Sequence, residues 1–185
     1  GLGDVYKRQY IHKAEDKSFV FGSGVRTLEN IENGHNYQDL LVSSVRGPLT
    51  RDFLLERNIS TPDIYGDPAL LLSKFYDPIV VSELKNKIGL IPHKTNFKKY
   101  QNKIDNQRFF LIDPTDDWKN VINYSYSCQA VISSCWHGFI CSDCYQKPNL
   151  WLYQYELEEG EFKFRDYFAS QKRKYQKIKN LSEYC

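Results

Sequence analysis

The chain has 185 residues, with 25 Lys and Arg against 23 Asp and Glu, a formal net charge of +2. That mixed balance lacks the one-signed charge of a nucleic-acid-binding surface, and with a mean hydropathy of −0.59 no apolar run approaches the ~18 residues of a membrane-spanning helix. Five Cys, an odd number with Cys135, Cys141 and Cys144 clustered, do not form a disulfide framework and read as reduced, intracellular thiols.

No secretory signal pattern opens the chain. It contains no Met and begins Gly1-Leu2-Gly3. Asp4 through Gln9 reads as the in-frame translation of a transposon end used in sequencing libraries. Residues 1–9 are therefore set aside as an assembly artefact, and the chain is read as a fragment whose first domain begins upstream. Residues 18–21 predict a short strand closed by Gly22, Ser23 and Gly24, and residues 40–45 a second. Arg46-Gly47 turns that strand into a helix begun by Pro48, a residue suited to the first helical position, with Leu49, Phe53 and Leu54 on one side. Residues 63–65 form a brief third strand. Gly66 turns, Asp67 caps, and Pro68 starts a helix over 69–72.

Residues 75–85 read as a linker, after which a new alternation begins. Strands are expected at 88–93, 108–113, 130–134 and 149–152, and helices from Pro114 through Ile122, from Gly138 to Tyr145 and from Phe162 to Lys174. Alternating strands and helices imply a parallel sheet covered on both faces. The division is an incomplete first domain at 10–78 and a second at 79–185.

Five polar residues fall at the carboxyl ends of predicted strands: Arg46, Asp67, His93, Asp113 and His137. Ligands bind along that edge in open α/β sheets. Asp67 and Asp113 are also explained as caps. Arg46 carries a fork of donors suited to a carboxylate or phosphate. His137 stands out, because the apolar run ending in Ser133-Ser134 hands over to a helix where His137-Gly138 opens it. A helix amino end attracts anions, an imidazole there can move a proton, and Gly138 permits close approach to the backbone. A zinc reading of Cys135, Cys141 and Cys144 wants a fourth ligand where the helix must pack on the sheet; small buried hydrophobes are the better reading. The basic run Lys172, Arg173, Lys174, Lys177 and Lys179 reads as a solvated helix face, with contact to an anionic membrane surface as the alternative.

Taken in order, Val20 through Val25, Ser44 through Thr50, Tyr65 through Ala69, Ile91-Pro92-His93 and Ile132 through Gly138 resemble the polysaccharide pyruvyl transferase family. Ser142-Asp143, Tyr145, Pro148, Trp151 and Phe162 through Phe168 continue the likeness, which covers about residues 18–173. Cys135-Trp136 depart from the Ser-Leu common in the family, and Cys141 and Cys144 from Ala. The resemblance implies a GT-B-like α/β fold: one Rossmann-like parallel-sheet domain, preceded here by the C-terminal part of another. It implies transfer of a pyruvyl group from phosphoenolpyruvate to a sugar of a surface polysaccharide or its precursor, forming a ketal. His137 would be the catalytic residue, as general acid or as phosphate anchor, and Arg46, His93, Lys163 and Arg165 the donor-binding residues. The implied partners are phosphoenolpyruvate and a sugar or lipid-linked saccharide acceptor, without nucleic acid, metal or other cofactor. The implied location is cytoplasmic, at the inner face of the membrane if the basic tail touches it. Two alternatives stand beside this reading: a GT-B glycosyltransferase using a nucleotide sugar, and a catalytically inactive anion-binding fragment.

Overall fold

The computed structural model describes residues 11, 18–25, 40–101, 103–153 and 161–181. Residues 1–9, expected to be an artefact, lie outside them. The chain divides into two units, Gly1–Pro68 with Glu156–Tyr175 and Ala69–Tyr155 with Gln176–Cys185. The expected break at 78/79 therefore moves to Pro68, and the segment from Glu156 to Tyr175 returns to the first unit.

In the first unit, β1 (Phe19–Val20) and β2 (Leu41–Val42) pair in parallel, with Phe19 opposite Leu41 and Val20 opposite Val42. Single parallel bridges, Ser23 to Val45 and Val45 to Tyr65, prolong the sheet, so the third strand expected at 63–65 is reduced to one bridge. Helix α1 (Pro48–Leu55) follows with Pro at its start. Phe53 and Leu54 enter a core with Val20, Val25, Val45 and Ile59, whereas Leu49 stays exposed and Thr50 is buried in its place. The helix expected at 69–72 forms a 3₁₀ helix over Pro68–Lys74, none of whose residues is buried.

The second unit is built on a five-stranded, wholly parallel sheet. Its strands are β3 (Ile88–Ile91), β4 (Phe109–Leu111), β5 (Ala130–Ser133), β6 (Asn149–Leu152) and β7 (Lys177–Ile178). The spatial order is β4-β3-β5-β6-β7. Ile88 pairs with both Phe109 and Ala130, so β3 lies between β4 and β5. Every residue of β3 is buried, as expected for a parallel strand covered on both faces. On one face Ile88, Leu90, Ile132 and Leu152 pack with Ile178, with Tyr100 of α2 (Phe97–Gln101) and with Ile104. On the other, Ile91, Ile112 and Val131 pack with Val121 and Tyr124 of α3 (Trp118–Ser127). Helix α3 starts one residue after Asp117, whose carboxylate accepts from Lys119 N at 2.9 Å, the side-chain capping that satisfies an orphan donor.

Two sequence expectations change here. The run around Lys177 and Ile178 is not helical: Ile178 fills the core as the edge strand, and Lys177 Nζ lies 4.0 Å from the centroid of the Tyr153 ring. The segment read as a linker is a strap held on α3. Asn123 Oδ1 accepts from Tyr76 Oη and from Ile79 N, both at 2.9 Å, and Ser127 Oγ accepts from Val81 N at 2.8 Å. Among the described residues, no helix is long and apolar enough to cross a membrane.

Beside β3, Cys128 is fully buried, and burial pushes its thiol up to about 11, with Lys147 opposing weakly. Above the unfolded thiol's pKa the unfolded chain loses this proton while the folded chain keeps it, so stability falls as pH rises. We expect this group to remove about 1.4 kcal/mol per pH unit from pH ~9 upward until the folded thiol itself titrates. Urea titrations of wild type and Cys128→Ala across that range check it: the slope should be shallower in the variant.

Candidate active site

The order of the sheet decides where a ligand can sit. From β3 the chain crosses to β4 on one side, then returns past β3 to β5 on the other. The carboxyl ends of β3 and β5 therefore flank the reversal in winding, the place where open α/β sheets bind their ligands. His93 stands two residues beyond the end of β3, and His137 is the second residue of α4 (Trp136–Cys144), which follows β5. Two of the five strand-end residues thus bracket the switch point within one unit.

Hydrogen bonds join the two strand ends. Ser134 N donates to Ile91 O at 3.0 Å, and Ser134 Oγ accepts from His93 N at 2.8 Å. Ser133 Oγ lies 3.1 Å from Ile91 O and accepts from Cys135 N, also at 3.1 Å. Both serines are buried, so each bond resists competition from water. The backbone leading to His93 is consequently tied to the turn that launches His137. His93 caps the short 3₁₀ turn Lys94–Asn96. Its Nδ1 lies 2.8 Å from Thr95 Oγ1 and accepts from Thr95 N at 3.4 Å, an assignment that puts the proton of the neutral ring on Nε2.

His137 is half-buried, with its Nε2 shielded from solvent. Helix α4 receives no side-chain cap from Cys135 and has no acid in its first turn. The positive end of its dipole is therefore not offset by a carboxylate of its own first turn. Gly138 makes this placement possible. A Cβ there would lie 2.8 Å from Ile91 Cδ1 and 2.9 Å from Ser133 Oγ, so any larger residue would push these side chains aside where the first turn of α4 meets the end of β3. Asp113, at the end of β4, closes its own turn by accepting from Thr115 N at 2.8 Å and Thr115 Oγ1 at 2.7 Å. Trp136 is buried, and Cys135 and Cys141 are half-buried thiols. Among the described residues, no three His, Cys, Asp or Glu gather as a metal site.

Arg46, Lys163 and Arg165 belong to the first unit. Arg46 does meet an anion beside a helix amino end, but the anion is the protein's own. Its Nε donates to Asp166 Oδ2 at 3.2 Å, and Nη2 donates to Val25 O. Asp166 lies on α5 (Phe162–Ser170) and reaches α1, accepting from Thr50 N at 3.1 Å and Thr50 Oγ1 at 2.6 Å. Gly47, the N-cap of α1, has no side chain with which to cap; a Cβ there would strike Asp166. The capping oxygen comes instead from α5, and Arg46 neutralises it. Lys163 is buried with Nζ 5.6 Å from the Phe164 ring centroid, while Arg165 is exposed with its guanidinium 5.7 Å from the Tyr175 ring. Sequence reasoning missed Asp166 and Ser134 as partners. Their signals were an acid in the last matched motif and a small polar residue ending a buried strand.

A family model described as polysaccharide pyruvyl transferase matches residues 2–154. An uncharacterized protein of Acanthamoeba polyphaga mimivirus, L143, is 29% identical over 133 residues, covering 68% of this chain and 46% of the relative. The chain thus spans about half the length of that curated relative. No solved structure matches.

Two substitutions test the packing. Gly138→Ala should destabilise the chain by about 1–3 kcal/mol, the usual cost of overpacking, and shift the amide resonances of Ile91, Ser133 and Ser134. Asp166→Ala leaves the buried Arg46 charge without its carboxylate and should cost about 3–5 kcal/mol. Urea unfolding measures both; in the Arg46→Leu background the Asp166 change should cost distinctly less.

Proposed function

The chain belongs to the polysaccharide pyruvyl transferase family, and on that premise we propose that it contributes the phosphoenolpyruvate site of an enzyme forming pyruvate ketals on sugars. The family is one of transferases; the donor, the product and a GT-B-like arrangement are what we add to it. The observation that carries the reading is the pairing of His93 and His137 across the switch point, tied through Ser134.

Phosphoenolpyruvate brings a carboxylate and a phosphate. The amino end of α4 offers a positive dipole to one of them, and Gly138 lets that end lie against the end of β3. Reaction begins when a proton reaches the methylene carbon, leaving positive character on the neighbouring carbon. One sugar hydroxyl attacks there and gives up its proton. The carbon–oxygen bond to phosphate breaks, and phosphate leaves with the bonding pair. A second hydroxyl adds to the same carbon and closes the ring. Of the two hydroxyl protons, one replaces that given to the methyl group and the other leaves on hydrogen phosphate. As written, the sequence of steps calls on no further cofactor.

We assign His137 to this chemistry as the catalytic residue, protonating carbon or balancing the departing phosphate. His93, on the facing strand end, orients the donor. Arg46 supports the first unit through Asp166 rather than presenting its fork outward, while Lys163 and Arg165 remain proposed donor contacts. The acceptor is a sugar or lipid-linked saccharide, the location cytoplasmic, and the basic residues 172–179 a contact to the membrane's inner face.

In a full-length protein that contains this chain, His137→Gln should reduce pyruvyl transfer by at least about 100-fold, the lower range for a general acid. The thermal unfolding profile should stay unchanged. Phosphate release matched by a pyruvyl mass gain on the sugar is the assay. His137→Lys separates the two roles: a fixed cation restores activity if the residue balances phosphate and leaves it lost if the residue delivers the proton. Wild-type turnover by His137→Gln, or stabilisation by nucleoside diphosphates in place of phosphoenolpyruvate, would overturn the assignment.

A further inference from the structure

A pocket of about 270 Å³ opens in the second unit at the carboxyl ends of α3 and α4, lined by Tyr126, Tyr145, Asp77, Cys144 and Gln146. It belongs to none of the chemistry above. Cys144 is the last residue of α4 and His137 its second, so the pocket and the candidate active site occupy opposite ends of one helix, roughly 10 Å apart along its axis.

Three features give this pocket a negative character. The Tyr126 and Tyr145 rings meet edge to face, their centroids 5.9 Å apart and their planes at 72°, and both residues line the space with aromatic surface of negative quadrupole. Asp77 adds an exposed carboxylate at the rim. Two helices end here, at Ser127 and Cys144, and each contributes the partial negative charge of its last carbonyls. Lys147 places its Nζ 5.4 Å from the Tyr126 ring centroid, so this ring already takes a cation within cation–π range. The phenol of Tyr145 senses the same field: burial first, then Cys144, Cys141, Tyr76 and Asp77, push its pKa up to about 12.

The walls are also fixed. Tyr145 Oη donates to Tyr76 O at 2.8 Å. The Cys144 thiol donates to Leu70 O at 3.3 Å and accepts from Ser73 N at 3.2 Å, pinning the strap across the helix end. Gln146 holds a positive φ of 54° as the chain turns out of α4. A site so preorganised spends little free energy on ordering when a ligand arrives.

We propose that this pocket binds a small organic ammonium ion, seated against the Tyr126 and Tyr145 rings with its charge directed to Asp77 and the two helix ends. A single carboxylate with aromatic walls offers too few oxygens for calcium or magnesium, which take six or more, water included. Aromatic faces suit a bulky, weakly hydrated cation. The Lys147 ammonium competes for the same ring, so its removal should favour an added ligand.

The test is a titration of the ¹⁵N-labelled chain with choline chloride, alongside sodium chloride and 3,3-dimethylbutan-1-ol, the uncharged isostere of choline. Choline should produce saturable shifts at Ser73, Asp77, Tyr126 and residues 144–147, and bind about fivefold or more tightly than the isostere, as a cation–π contact predicts. Tyr126→Phe should retain binding, Tyr126→Leu and Asp77→Asn should weaken it, and Lys147→Gln should tighten it, with circular dichroism confirming each fold. Equal binding of the isostere, absence of a saturable shift beyond the salt control, shifts centred on His93 and His137, or weaker binding by Lys147→Gln would each overturn the proposal.

Discussion

The reversal of winding between β3 and β5 is the constraint on which the candidate site depends. A parallel sheet wound in one direction covers its strand ends with successive connections. Here the order β4-β3-β5-β6-β7 sends neighbouring connections apart, and the switch point falls where Ser133 and Ser134 leave the sheet. Ser134 binds the backbone at His93, and Gly138 lets the first turn of α4 lie against Ile91. These backbone arrangements fix where the first turn of α4, and with it His137, begins.

The first unit solves a related problem differently. Helix α1 begins after Gly47, which offers no capping side chain. Asp166, 120 residues away from Arg46 in sequence, supplies the oxygen, and Arg46 supplies the balancing charge. A buried ion pair stabilises little relative to apolar packing, yet breaking one partner is expensive. The arrangement makes the first unit dependent on α5, which the chain delivers only after completing β6. The same logic of an anion at a helix amino end thus appears in both units, satisfied internally in one and proposed for an external donor in the other.

Local signals in the amino-acid sequence account for much of this architecture. The 130–134 strand with its following helix, Pro48 at the start of α1, and the parallel alternation after residue 86 all follow from local pattern and turn chemistry, because each signal lies within a few residues. What escapes such a reading depends on distant partners. Two residues such as Lys177 and Ile178 become a strand only because β6 offers an edge to pair with. The strap over 75–85 looks like a linker until Asn123 and Ser127 accept its donors. Arg46 has the same fork whether its carboxylate is a ligand's or that of Asp166, and nothing near it in sequence distinguishes the two. The basic residues after α5 read as a helix face because charge spacing carries no information about the ladder.

Binding of phosphoenolpyruvate to the ¹⁵N-labelled chain tests the central claim most directly. The account predicts saturable amide shifts at His93, Ser134, His137 and Gly138, abolished by high salt and weakened in His137→Gln. Saturable shifts confined to the first unit around Arg46 and Asp166, with the amino end of α4 unmoved, would contradict it.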